Sequence, residues 1–360
     1  MENRLRRKIG QLFLIGIAGE RVTAEERLHF QEYGFGGFVL FRRNCREASQ
    51  TVALCRALWE MADEPPPFIA IDQEGGRVHR LPPPFTHFPP AARIGNLKDA
   101  ALAYRAALAM GTELALAGIN VNFAPVLDAN SNPDAHVIGD RAFAPDPEVV
   151  KSLSAACIRG LREAGIIPCG KHFPGHGAAD KDSHFDLPIV DKPLELLQTT
   201  ELPPFVHSCR DQIEALMTAH VLYPALDPQW PATLSEKIIT GLLRQQLGFS
   251  GVLFSDDMEM LAISQRYSVA QSALCAMLAG VDVLLFCHEL SKAVEACEFL
   301  WAQAAENPAL RARVDESYAR VMSLKRRFLR SFTGAPESEL CTRLAGLNHA
   351  RLVAEIHASL

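Results

Sequence analysis

Short apolar runs alternate along this chain with longer stretches in which apolar residues recur at helical spacing. The runs fall at 12–17, 37–41, 68–72, 121–127, 166–172, 215–221, 251–256 and 281–286. Each is near-continuously apolar, as parallel strands buried on both faces are. Between them, 48–61, 99–117, 147–164, 235–247 and 269–278 carry the helical period, and Gly118, Gly165 and Gly248 stand where helix C-caps belong. Eight strands alternating with helices predict an α/β fold, a single-domain (β/α)8 barrel of the TIM type. An open doubly wound sheet competes. The even spacing of the units favours closure, and no Gly-x-Gly-x-x-Gly follows the first strand. Beyond 286 the pattern is helical, at 292–305, 309–329 and 338–358. The expected division is a barrel unit over 1–330 and a C-terminal helical extension over 331–360, padding the barrel.

The N-terminus allows two readings. Arg4, Arg6, Arg7 and Lys8 precede an apolar stretch from 9 to 18, as in a signal peptide. Gln11 interrupts that stretch and no Ala-x-Ala site follows, so it is expected to be the first barrel strand. No apolar run approaches the ~20 residues of a membrane span.

Composition narrows the function classes. The 360 residues are 48% hydrophobic, enough for a large core, and the net charge is −6 with Lys and Arg scattered. That gives no basic footprint for nucleic acid. Nine cysteines, an odd number with no Cys-x-x-Cys, read as reduced core thiols and favour a reducing, cytoplasmic compartment.

The chemistry gathers at predicted strand ends, where barrel enzymes keep their active sites. Strand three ends in Asp72-Gln73-Glu74, strand four in Asp128, strand five in Lys171-His172, and strand seven in Asp256-Asp257; strand six carries His220. Solvated loop residues explain one or two such positions but not Asp72, Lys171, His172 and Asp256 together. Lys171-His172-Phe173-Pro174-Gly175-His176-Gly177, followed by Asp182-Ser183-His184, packs a cation, three imidazoles and a carboxylate into one glycine-broken stretch. A zinc site on His172-x-x-x-His176 is disfavoured because Pro174 and Gly175 break the helix it would need, and no Glu follows the first His.

These motifs, with Ile71-Asp72-Gln73-Glu74-Gly75-Gly76-Arg77-Val78 and Ser255-Asp256-Asp257-Met258, resemble those of glycoside hydrolase family 3. The resemblance runs in order over about 10 to 330 and is closest to the family's bacterial β-N-acetylglucosaminidases of peptidoglycan recycling. It implies Asp256 as catalytic nucleophile and His184, partnered by Asp182, as acid/base. It implies Asp72, Arg80, Arg141, Lys171 and His172 as sugar-binding residues. No cofactor and no metal is implied. Many family members carry a second α/β domain that supplies an acid/base; the chain is too short for one, which points to the subgroup with the internal Asp-His dyad.

Elementary chemistry is compatible with these roles. Glycoside hydrolysis needs one group to trap an oxocarbenium-like carbon and another to protonate the leaving oxygen. Asp256 and Asp257 are neighbours, so in extended backbone only one is expected to face the mouth. Asp182 and His184 are two apart, so extended backbone puts them on one side. A carboxylate beside an imidazole fixes its tautomer, and an unperturbed histidine exchanges protons near pH ~6.5. Their loop, rich in glycine and alanine, is expected to close over bound sugar. His176 is expected to be a hydrogen-bonding residue of the loop turn, and His220 to line the pocket floor or bond a neighbour. Met258 and Met260 could pack on the sugar, whereas Trp59, Trp230 and Trp301 fall in contexts that suggest no stacking role.

The reading that results is a retaining exo-β-N-acetylglucosaminidase acting on GlcNAc-1,6-anhydro-MurNAc or its peptides. The competing readings are a phosphorylase or a β-glucosidase of the same family, and a non-catalytic sugar-binding barrel.

Overall fold

The computed structural model describes residues 2–62, 65–132, 137–179, 183 and 186–358. Eight parallel strands close into a barrel in sequence order. They are β1 (Phe13–Gly16), β2 (Gly37–Leu40), β3 (Phe68–Ile71), β4 (Val121–Asn122), β5 (Ile167–Phe173), β6 (Ala215–Thr218), β7 (Val252–Asp257) and β8 (Val283–Phe286). Closure is made by β1, which pairs with β2 at Ile15–Phe38 and with β8 at Ile15–Phe286. The stretch after the basic N-terminal residues is therefore a barrel strand, and those residues lie on a helix, Glu2–Gly10.

The expected helices form with small shifts at their ends, and the cap glycines Gly118, Gly165 and Gly248 all take positive φ. The stretch expected at 235–247 forms Lys237–Gln246, wound with the wider i→i+5 bonding of a π-helix. Two expectations fail locally. The fourth strand is two residues long because Pro125 has no N–H to donate, yet the chain stays against β5: the Pro125 carbonyl accepts from Lys171, and Leu127 N–H donates to Lys171. The stretch 338–358 is two helices, Leu340–Leu347 and His349–Ala358, because Asn348 adopts a left-handed φ of 52°. Both pack on helices of the barrel's outer ring. Among the described residues no helix is long and apolar enough to cross a membrane.

The barrel interior is packed. Phe254 meets Phe68 and Phe123 edge-on, at centroid distances of 6.0 and 5.6 Å. Lys325 closes the bottom, donating to Gln11 Oε1 and the Gly36 carbonyl at 2.7 Å each. Burial with no carboxylate among its described partners pushes its ammonium well below the usual lysine range.

A buried carboxylate ties the helix Pro308–Phe328 to the same end. Asp282, at the entry to β8, is fully buried. Its Oδ2 accepts from Arg244 at 2.5 Å and from Leu253 N–H at 3.0 Å; its Oδ1 accepts from Arg313, Arg320 and Ser317. Burial would raise this carboxyl, but Arg244, Arg320 and Arg313 outweigh it and hold it below the carboxylate range. Asp282→Ala leaves three guanidinium groups facing one another and should destabilise the fold by about 3–5 kcal/mol. Urea unfolding at neutral pH measures this, and a loss under about 1 kcal/mol would show that the cluster does not hold the helix.

Candidate active site

A cavity of about 400 Å³ opens at the C-terminal ends of the strands. Asp72 and Glu74 reach it from the end of β3, Lys171 and His172 from β5, and Asp256 and Asp257 from β7. Arg141 comes from the short turn Gly139–Arg141, and Arg80 from the long loop after β3. Six of the eight residues singled out in the sequence, Asp72, Arg80, Arg141, Lys171, His172 and Asp256, thus line one cavity. Asp182 and His184 lie outside the described residues, and Ser183 between them is on the wall.

An ion network forms one side. The Lys171 ammonium donates to Asp72 Oδ1 at 2.5 Å and sits 2.5 Å from Glu74 Oε1. Arg141 grips Glu74 with two parallel bonds of 2.8 Å. Burial works against charge on Glu74, but Arg141 and Lys171 outweigh it and hold its carboxyl far below the usual range. Burial likewise disfavours the Lys171 cation, and Asp72 and Glu74 reverse that. Two cations thus face two carboxylates. Asp72 is the more open of the carboxylates, with 21% of its side chain exposed against 5% for Glu74. Arg80 adds a guanidinium whose buried Nε has no hydrogen-bond partner among the described residues.

The histidines are set by a second anion. Asp128 is fully buried and accepts from the His172 ring Nδ1 at 2.7 Å, the His172 N–H and the His176 N–H. Burial would raise its carboxyl; His172 and His176 lower it. An ionised carboxylate only accepts, so His172 carries hydrogen on Nδ1. Gly177 lies so close to the chain after β4 that a Cβ there would collide with the Ala129 carbonyl oxygen. The Tyr223 hydroxyl holds the Gly175 carbonyl. These contacts fix the His176 backbone as the expected turn, and its ring also reaches the cavity wall. His220 is not on that wall; it bonds Thr233 and the Asp257 carbonyl, tying β6 to β7.

One expectation of strand parity is corrected. Asp256 and Asp257 both line the cavity, because the pairing of β7 with β8 shifts between Phe254 and Asp257. Such irregularities re-aim side chains beside active sites. The two carboxylates still differ. Asp257 Oδ1 accepts from the N–H groups of Glu259 and Cys287, and Oδ2 lies 3.3 Å from His288 Nε2. Asp256 Oδ1 accepts from the Asp257 N–H at 2.8 Å. Met260 is on the wall, Met258 is buried away from it, and no tryptophan lines the cavity.

Several lining or supporting residues were not singled out from the sequence. In the sequence Glu74 and Asp128 stand only as strand ends, although each is the anion that orients two neighbours. His288, whose hydrogen bond to Asp257 raises its pKa, and Glu259 follow β7 and β8. His288 stands two residues after Phe286, and its signal in the sequence is that of a polar residue just past the eighth strand.

Burial lowers the His176 pKa to about 4, with His172 adding to the effect. The unfolded chain takes up this proton near pH ~6.5, so the stability contributed is present above that and is lost as pH falls toward 4. Between pH 7 and pH 5 the site should account for about 2 kcal/mol of lost stability. Denaturant unfolding of the protein and of His176→Gln at the two pH values checks this. The variant should show the smaller drop, and equal drops would mean that the ring does not stay neutral in the fold.

The glycosyl hydrolase family 3 N-terminal domain matches residues 4–324. The beta-hexosaminidase of Methylobacillus flagellatus is 37% identical over 308 residues, covering 84% of this chain and 87% of that protein. A family 3 β-N-acetylglucosaminidase from Paenibacillus superposes with a TM-score of 0.88 at 39% identity, over 95% of this chain and 68% of that one. NagZ from Neisseria gonorrhoeae, in complex with N-trifluoroacetyl-D-glucosamine, superposes with a TM-score of 0.73 at 32% identity, over 93% and 97%. A family match across almost the whole barrel, joined to identities of this size, makes the chain a member of glycosyl hydrolase family 3 and a glycoside hydrolase.

Proposed function

We propose that the chain is a retaining exo-β-N-acetylglucosaminidase that removes terminal β-linked GlcNAc. The observation that carries this reading is Asp256, a carboxylate at a rigid strand end sharing one cavity with Asp72, Arg80, Arg141, Lys171 and His172. The Neisserial relative's complex with an N-acylated glucosamine supports a 2-acylamido sugar. By resemblance the natural substrate is GlcNAc-1,6-anhydro-MurNAc or its peptides, in peptidoglycan recycling. Nine free cysteines support a reducing, cytoplasmic setting.

In this reading Asp256 attacks the anomeric carbon as the glycosidic C–O bond breaks. His184, oriented by Asp182, gives its proton to the departing oxygen. The glycosyl–Asp256 ester is then opened by water, whose proton returns to His184, and free GlcNAc leaves. The cavity's charged residues bind the hydroxyls, and those contacts strengthen as the ring flattens. The barrel unit over 1–330 carries all of these groups, with 331–360 as an accessory helical extension.

A 2-acetamido-5-fluoro glycosyl fluoride should trap the ester, and peptide mapping should find the added mass on Asp256. Labelling of any other residue refutes the assignment. Asp256→Ala should lose hydrolysis by roughly a thousandfold or more while still binding GlcNAc. His184→Ala should slow alkyl glycosides by about 100- to 10,000-fold and activated aryl glycosides far less, because only the former need a proton. Equal losses on both would rule out proton donation. A sugar phosphate formed only in phosphate buffer would identify a phosphorylase instead.

A further inference from the structure

The long loop after β3 carries a stacked pair of imidazoles that the proposed reaction does not use. His79 and His87 lie with ring centroids 4.2 Å apart and planes 12° from parallel. His87 is exposed and covers a half-buried His79, and its Nε2 lies 2.7 Å from the Gly76 carbonyl. Beneath them is Gln73, buried between the two cavity acids Asp72 and Glu74.

The polarity of the Gln73 contacts follows from what each partner can do. The Arg80 backbone N–H is only a donor, and it donates to Gln73 Oε1 at 2.8 Å. The other end of that carboxamide, Nε2, is then also a donor, and it lies 2.8 Å from His79 Nδ1. His79 Nδ1 must therefore present a lone pair, with its hydrogen on Nε2. The Gln73 backbone cannot yield instead, because Asn122 clamps it by two bonds, Gln73 N–H to Oδ1 at 3.0 Å and Nδ2 to the Gln73 carbonyl at 2.9 Å.

We propose that His79 is a positioning residue for sugar binding: through the Gln73 carboxamide its neutral ring holds the backbone of Arg80, and so aims the guanidinium at the cavity. The inference rests on the reading of Arg80 as a sugar contact. A hydrogen on Nδ1 would set donor against donor. Turning the carboxamide to relieve that would leave the Arg80 N–H facing an NH₂ group. Either way the hold on Arg80 is lost.

The surroundings keep the ring neutral. Burial lowers the His79 pKa to about 4, and His87 above it and Arg42 from the turn after β2 lower it too. A hydrogen bond with the Leu81 backbone and the charge of Glu113, from the helix Ala100–Ala117, act the other way without outweighing them. Glu113 is itself engaged by the Thr86 N–H and hydroxyl and by His349. The acceptor is thus present at neutral pH and lost as pH falls through about 4.

Two measurements test this. In long-range ¹H–¹⁵N spectra of the protein labelled with [¹⁵N]histidine, His79 should show the Nε2–H tautomer at pH 7, assigned by its loss in His79→Gln. An Nδ1–H tautomer would overturn the proposal whatever the substrate. With 4-methylumbelliferyl N-acetyl-β-D-glucosaminide at pH 7, His79→Leu should raise KM about five- to tenfold with little change in kcat, the loss of one hydrogen bond. His79→Gln offers an acceptor that does not titrate, so it should restore KM and remove the rise in KM on acidification toward pH 4. Arg80→Ala separates the two readings. If it leaves KM unchanged, the sugar-contact reading falls and takes the inference with it. If it raises KM while His79→Leu does not, only the inference falls.

Discussion

An ammonium held out of water must meet negative charge, and Lys171 is almost completely buried at the end of β5. Glu74 and Asp72 answer it from the end of β3, and Arg141 shares Glu74 with it. Removing either partner would leave an uncompensated charge in a low-dielectric wall, so the four side chains fix one another. The network also spans β3, the turn at Gly139–Arg141 and β5, and so sets how those segments sit around the mouth. Glu74 is held by both cations, whereas Asp72 meets Lys171 and keeps 21% of its side chain exposed on the cavity.

The histidines follow the opposite logic. His176 and His220 are buried, and burial disfavours their charged forms. Asp128 takes hydrogen from the His172 ring and from two backbone N–H groups. The cavity therefore has a compensated ionic side and an imidazole side, each held by a buried carboxylate. The same physics works at the other end of the barrel, where Asp282 collects three arginines and stabilises the fold without touching the cavity. Function at the top and stability at the bottom is the usual partition of this architecture.

Backbone irregularity lets neighbouring residues share the site. Lys171 and His172 are adjacent in β5, and Asp256 and Asp257 in β7, so regular strands would send one of each pair away from the mouth. In both strands the pairing shifts at that place, between Gly170 and Phe173 and between Phe254 and Asp257. All four side chains line the cavity as a result. The long loop after β3 is braced from outside, since His349 and Thr86 meet on Glu113, linking the C-terminal helix His349–Ala358 to the loop that carries Arg80.

The chain's own pattern was enough for eight strands, their order, most helices and the mouth at which the chemistry gathers. Buried parallel strands are written as continuous apolar runs, and strand ends are where polar residues return. Ordered motifs were enough for the family. The pattern could not show that Glu74 and Asp128 are the anions that orient the site, because their partners lie 40 to 100 residues away and a carboxylate at a strand end looks the same whether solvated or paired. Nor could it show that Asp257 joins Asp256 at the cavity, since alternation holds only while the register does. Asn348 splits the last helix in two by a single left-handed residue that a helical period does not reveal. Local periodicity fixes what each segment becomes; which charges end up facing one another is decided when distant segments close the barrel and exclude water between them.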